Sequence, residues 1–573
     1  MRFRNVILAG TALVLAACTD HPQTAGDMAA MPMAGMAMPP MTMPPMPALY
    51  PEAEKPGAPV FKGLGDHQHP ITTANPQTQA YFDQGVRLLF NFNHAEAIRS
   101  FREAARLDPH CAMCWWGVAF ALGPNINLPM QPDAVAPAWA ALEMARSLEK
   151  YASPKERDWI EALGARYSED ANADRSKLNE AFAQATGFVW RAHPDDLDAG
   201  VFYAEAMMDT QPWDYWQADG TTPKGHAAEI VATLEDLIRR SPNHPGALHL
   251  YIHAVEASTT PERAEAAADR LETLMPEAGH IVHMPSHIYY RVGRYADAVH
   301  VNELAARTDE DYIAACKAQG FYPLAYYSHN IHFLWTSSEM MGRFAAARDA
   351  AARVVRAASG APADQLPPVQ LYLFTPVVTD IRFGKWDMAI AEKRPPASYK
   401  LDAAISLYAR GVAFANKGDI GRARQDRALL QAMIAGNQFA AIDPWLPGTA
   451  MARLGVTLID AEIARKSGRL DEAIAAYTKA REQELALPYT EPPYWHQPVA
   501  HLLGAALIDA HRYAEAEAVY RDSLTRYRID GWALFGLWQA LKAQGKNEEA
   551  RSVRAEFEKA WSLADVKLAS SRF

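Results

Sequence analysis

From Thr78 onward the apolar positions recur three and four apart, in blocks long enough to be amphipathic helices. The blocks come in pairs. In QAYFDQGVRLLFNFNHAEAIRSFREAARLDP two such runs are divided by Asn-Phe-Asn, and Asp108-Pro109 ends the second. Trp115 follows Tyr81 by 34 residues and opens the next block. No alternating apolar/polar stretch of useful length points to a strand. The pattern predicts an all-α chain of helix–turn–helix units, interrupted by Pro-rich or irregular insertions at 211–223, 359–368 and 487–496.

Small and aromatic residues return at fixed places in these units. Tyr81, Gly85, Ala97, Phe101, Ala104 and Pro109 mark the first unit. Gly411 and Ala423, then Ala461, Ala473, Tyr477 and Ala480, then Gly504, Ala516 and Tyr520, and finally Gly545 and Ala550 mark later ones. Small residues let two antiparallel helices approach, and the aromatic ring fills the space left between them. The register resembles that of the tetratricopeptide repeat (TPR) family over most of 78–560. The resemblance implies a TPR-like solenoid of roughly eight to ten helix pairs, with ligands held in its concave groove.

The middle of the chain carries an unusual load of histidine. His249 and His253 are four apart, as are His283 and His287, and the second pair follows the first by 34 residues. His280, His329 and His332 complete the set. Counting back from Ala264, Ala298 and Ala347 puts His249, His283 and His332 at the fifth position of a first helix. His253 and His287 take the ninth, His280 and His329 the second, and Glu256 and Glu339 the twelfth. Positions 2, 5, 9 and 12 share one helix face, and the TPR resemblance makes it the groove face. Neighbouring first helices pack about 10 Å apart, so these imidazoles are expected to converge. Pro285 interrupts the second unit and puts His280 and His283 on a lead-in to its helix. The helical spacing itself holds for His249, His253, His287 and His332.

Neutral imidazole ligates Zn, Cu, Fe and Ni, and pairs three or four apart chelate from one helix face. The cluster is therefore a candidate metal site. Glu256 is a candidate ligand, orienting group or catalytic base, and Glu339 an alternative base. The same rings could instead bond to backbone carbonyls and to Tyr251, Tyr289 and Tyr326, or line a pocket for an organic anion. His67-Gln-His69 reads as a loop pair, exposed or in auxiliary contact with a soft metal. Cys111 and Cys114 form a CxxC without the histidine of a haem motif, open to a local disulfide, a metal or simple packing. Cys316 reads as a small buried residue. Asn125-Ile-Asn127 and Trp213-Asp214-Tyr215-Trp216 read as loop features.

The first residues carry an address. Arg2 and Arg4 precede an apolar run, and Leu15-Ala16-Ala17-Cys18 resembles a bacterial lipobox, which implies lipidation at Cys18. An uncleaved anchor helix is the alternative, although the run is short for a span. Thr19 after the cysteine implies the outer membrane, so the chain is expected in the cell envelope, on its periplasmic face. The organisation that follows is a signal segment at 1–18, an unfolded Met/Pro-rich linker at 19–70 and the solenoid at 71–573. Between Met28 and Met46 the linker holds eight methionines, either a plain spacer or soft ligands suited to Cu(I). They tilt the expected metal towards copper over zinc.

A formal charge of −11 and the lack of a basic stripe exclude nucleic acid as a partner. No phosphate loop, dinucleotide fingerprint, nucleophile elbow or zincin motif is present. Three functions fit: a lipid-anchored TPR protein binding a transition metal in its groove, a TPR scaffold holding an envelope protein or peptide there, or a metal-dependent hydrolase or oxidase using the same histidines.

Overall fold

The computed structural model describes residues 43–573. The expected lipidation site Cys18, the signal segment and most of the methionine run lie outside the described residues. Within them every named element is a helix; the only strand-like features are isolated bridges, Asn125 with Leu128 and Trp216 with Pro223. Consecutive helices pack against one another as a TPR-like solenoid, which is the architecture the spacing predicts. No helix among the described residues is long and apolar enough to cross a membrane.

The first pair shows why this sequence folds so. Helix α1 (Pro76–Phe90) starts at Asn75, whose side chain accepts from the Gln77 amide, with proline in the first turn where its missing N–H costs nothing. Helix α2 (His94–Leu107) starts at Asn93, which caps Glu96. Phe101 of α2 is fully buried between Gly85 of α1 and Gly117 of the next helix; a methyl group at either glycine would overlap its ring. Burying such a ring contributes about 1.5–3 kcal/mol. Tyr520 repeats the arrangement against Gly504 and Gly536.

Two large cores make up most of the apolar interior, beside a small cluster of Ala358, Ala363 and Val369. One core runs from Met46 to Tyr326, the other from Tyr290 to Phe557. Tyr289 belongs to the first and Tyr290 to the second, so the seam passes through one helix. The later units turn back onto the middle ones. The Trp532 indole N–H donates to the Glu339 carbonyl at 3.0 Å, and Arg382 donates to the His496 carbonyl at 2.7 Å. Near the end of the chain, Arg572 pairs with buried Glu462 at 2.6 Å.

Residues 43–70, expected as unfolded linker, are laid along the solenoid as a strap. Met46, Tyr50, Ala53 and Leu64 are buried in the first core. Gln84 of α1 holds the strap at Phe61 N and Pro59 O, both at 2.9 Å, and Arg87 holds the His67 carbonyl at 2.6 Å. The expectation missed this because the anchoring groups are single polar residues on α1, which leave no period in the strap itself. Cys111 and Cys114 form a disulfide, one of the outcomes left open. Cys316 is buried at the end of its helix.

Candidate metal centre

Five helices build the centre: α3 (Pro245–Val255), α4 (Gly279–His283), α5 (Pro285–Val292), α6 (Tyr295–Cys316) and α7 (Ser328–Met340). Pro285 splits α4 from α5, as its chemistry requires. The lead-in before it is nonetheless a helical turn, and Met284 keeps helical angles. His280 and His283 are therefore carried inward with His287.

The histidines gather in two triads. His249, His253 and His280 form one; His283, His287 and His329 form the other; in each, one ligand nitrogen per ring lies within 4.8 Å of the other two. The triads adjoin, with the His253 and His287 rings 5.2 Å apart and those of His280 and His283 5.7 Å apart.

Four of the six rings are fixed from behind through Nδ1. His249 meets the Phe90 carbonyl at 2.7 Å and His253 the Glu256 carboxylate at 2.8 Å. His283 meets Asn302 Oδ1 at 2.6 Å, and His287 meets the other Glu256 oxygen at 2.6 Å. The Asn302 amide nitrogen donates to the Ala298 carbonyl at 2.7 Å, which turns its oxygen towards His283. Each acceptor favours a proton kept on Nδ1, and on the neutral rings that leaves Nε2 as a lone pair facing the centre, the tautomer a metal needs.

Those inward nitrogens lack partners. His249 Nε2, His253 Nε2 and both nitrogens of His280 are buried without a hydrogen bond. In the second triad His287 Nε2 lies 2.9 Å from His283 Nε2 and 3.4 Å from His329 Nε2. Facing lone pairs at that distance repel unless a cation, proton or metal, lies between them.

Burial, aided by neighbouring imidazoles, holds His249, His280, His283 and His329 well below the usual histidine range, so these rings are neutral. Burial also lowers His253, against the pull of Glu256. His287 goes the other way. Burial alone would lower it, but Glu256 and Glu491 outweigh that and push it up to about 9. Burial would raise Glu256, yet its paired histidines hold it low. Glu491 is raised by burial and by the Glu256 charge.

Four sequence expectations need correction. His332 does not join the triads: it stacks flat on Trp335 at 5.0 Å and meets Tyr372 at 5.2 Å, and burial pushes it down to about 3. The 34-residue spacing between the first two units becomes 49 at the third. Equal repeat positions there no longer lie at equal depth, and His329, three residues earlier, takes the place. Glu256 faces no open space as a base, because both its oxygens hold imidazoles. Glu339 is not at the centre; it forms a buried ion pair with Arg382 at 3.1 Å and accepts from Thr379.

Finally, the histidine face expected to line an open groove is filled. His249, His253, His280, His283 and His287 are at most 1% exposed, while His329 is half-buried. The chain's own loops provide the cover. Phe92, in the α1–α2 turn, packs on His249 and His280; Trp213 packs edge-on against His253 at 5.1 Å; Tyr326 packs on His280 at 4.6 Å. Phe92 and Trp213 both have left-handed backbone, with φ of 51° and 64°. That is uncommon for bulky residues and marks places where surrounding structure enforces the conformation. Tyr326 sits in a π-helical turn, Pro323–Tyr327, a distortion frequent at functional sites. Asn127, read from sequence only as a loop feature, accepts from the Trp213 indole at 3.2 Å. Glu491, from the 487–496 insertion, comes within 3.2 Å of His287.

No known family description matches the chain, and no curated protein is similar to it. Among solved structures, the human IFIT1 dimer with m7Gppp-AAAA shows 13% identity, covering 85% of this chain and 90% of its own, at a TM-score of 0.32. Yeast Tom70 shows 13% identity, covering 85% of this chain and 92% of its own, at 0.26.

Proposed function

We propose that this protein binds a pair of transition-metal ions in its buried histidine cluster, one per triad, with copper ahead of zinc. The observation that carries the reading is the set of partnerless Nε2 atoms on His249, His253 and His280. A proton on His287 answers the crowding in the second triad, but it leaves the first triad's lone pairs desolvated and unused. Buried polar atoms of that kind call for a ligand.

Charge supports copper. Six imidazoles are neutral ligands, and Glu256 and Glu491 are the carboxylates beside them. With the protons on His287 and Glu491 displaced on loading, two monovalent ions would match two carboxylates, whereas two divalent ions would leave net charge in an apolar interior. Cu(I) is the first-row ion that suits this balance, and the methionines between Met28 and Met46 are soft donors able to deliver it. The centre belongs, on this reading, to a protein held by lipid at Cys18 on the periplasmic face of the outer membrane. Fatty-acid labelling that is lost in Cys18→Ala would support the anchor, and labelling unchanged in that variant would remove it.

The test of the centre is elemental analysis of the soluble domain, stripped and then reloaded with Cu(I) under reducing conditions. About two ions per chain are expected; less than one at micromolar metal overturns the proposal. A second reading, turnover at the paired ions, draws on half-buried His329, which gives the second triad an edge towards solvent. Oxygen consumption by the loaded protein with small phenols or metal ions as reductant would favour it. The scaffold reading gains nothing from these units, whose histidine face the chain covers itself.

A further inference from the structure

The strap brings a second set of ligands together, away from the triads. His67 and His69 lie on it, and both turn onto Asp198 in the first turn of helix Leu197–Met208. His244, which caps α3, reaches the same carboxylate. His67 Nε2 is 3.0 Å from Asp198 Oδ1, and His244 Nε2 is also 3.0 Å from it; the two histidines and the carboxylate present their ligand atoms within 4.8 Å of one another. An ion with bonds of about 2.0–2.2 Å spaces its tetrahedral ligand atoms only slightly further apart.

The surroundings differ from those of the buried triads in a useful way. His69 Nδ1 holds the other Asp198 oxygen at 2.7 Å, fixing the carboxylate as ligating carboxylates usually are. Lys155 pairs with Asp196 at 2.9 Å and so draws that carboxylate aside. The group opens on a cleft of about 590 Å³ lined by His67, His69, Asp198 and His244, and the His67 side chain is 15% exposed. Two imidazoles and a carboxylate beside solvent leave a coordination position for water, a mixed N/O set suited to a divalent ion of borderline softness.

We propose that His67, His244 and Asp198 form a second metal site, open to solvent, that takes a divalent transition ion. The site lies close to the first triad. The Phe90 ring packs against His67 at 5.3 Å and His244 at 5.7 Å, while its carbonyl holds His249. His244 caps the helix that carries His249, five residues further along the chain. The proposal itself does not depend on metal in the triads.

Co²⁺ serves as the probe, with its visible absorption reporting a low-coordinate N/O site, and Zn²⁺ competition reporting affinity. It is titrated into the wild type, into His67→Ala and His244→Ala, and into the same changes combined with His280→Ala/His329→Ala, which disables both triads. In the triad-disabled background one equivalent should remain, and adding His67→Ala should weaken it at least about tenfold. Co²⁺ binding unchanged by both His67→Ala and His244→Ala, or no Co²⁺ bound in a folded triad-disabled protein, overturns the site. Failure of the triads would look different: the stripped wild type would take up no Cu(I), while its Co²⁺ binding would still fall with His67→Ala. Should circular dichroism show the background variant unfolded, the wild type against His67→Ala decides alone, because that side chain lies on the strap and is partly exposed.

Discussion

Glu256 holds one imidazole of each triad, so a single side chain sets the tautomer of both His253 and His287. Glu256→Gln keeps the shape but can accept at only one of its two positions. The ring facing the new NH₂ group must turn its proton inward, and metal affinity should fall about 10–100-fold, as competition with a chromophoric chelator would measure. His280→Ala makes the complementary test. His280 has no side-chain hydrogen bond to lose, so the variant should drop metal while stability falls by on the order of 1–3 kcal/mol from the cavity. His287→Ala is a poor probe, because it strands Glu256 and Glu491 in the interior at about 3–5 kcal/mol. Helical spacing by itself carried His249, His253 and His287 to the triads and misplaced His332, while repeat register pointed to His280, His283 and His329 without guaranteeing the first two across Pro285. Their supports were not legible. The Phe90 carbonyl, Asn302 and Glu491 act across long sequence separations, and nothing local marks them.

Among the elements, the helix pairs were legible because Gly85, Gly504 and their aromatic partners are dictated by helix contact within a unit. The insertions at 211–223 and 487–496 were legible only as interruptions. That they deliver Trp213 and Glu491 to the histidines depends on non-local packing. Lids of this kind control exchange. Trp213→Ala should leave the ions bound but speed their extraction by chelator, read as a faster first-order loss of metal; an unchanged rate would mean solvent enters past His329 instead. Gly293 ends α5 with φ of 85°, and a side chain there would strike the backbone of Arg528 in a distant turn. Gly293→Ala should therefore cost on the order of 1–3 kcal/mol in a urea titration, more than an ordinary helix end would lose.

On the scale of the whole molecule, the two cores meet where the triads adjoin. Phe92, against His249, belongs to the first core; Phe333, against His283, His287 and His329, belongs to the second. Paired ions would fasten the cores together with bonds that neither supplies alone. Calorimetry should then resolve two transitions for the stripped protein and one, at higher temperature, for the loaded protein. The fold-back that buries this seam was not legible, because contacts such as Trp532 with Glu339 join residues far apart in the chain.

With metal in the triads, that seam would tie the lifetime of the polypeptide to its cargo. A chain whose halves can part separately offers proteases an opening that a fastened chain withholds. Under scarcity the stripped form would be degraded and under plenty it would accumulate, so its abundance would follow supply with no regulator of transcription involved.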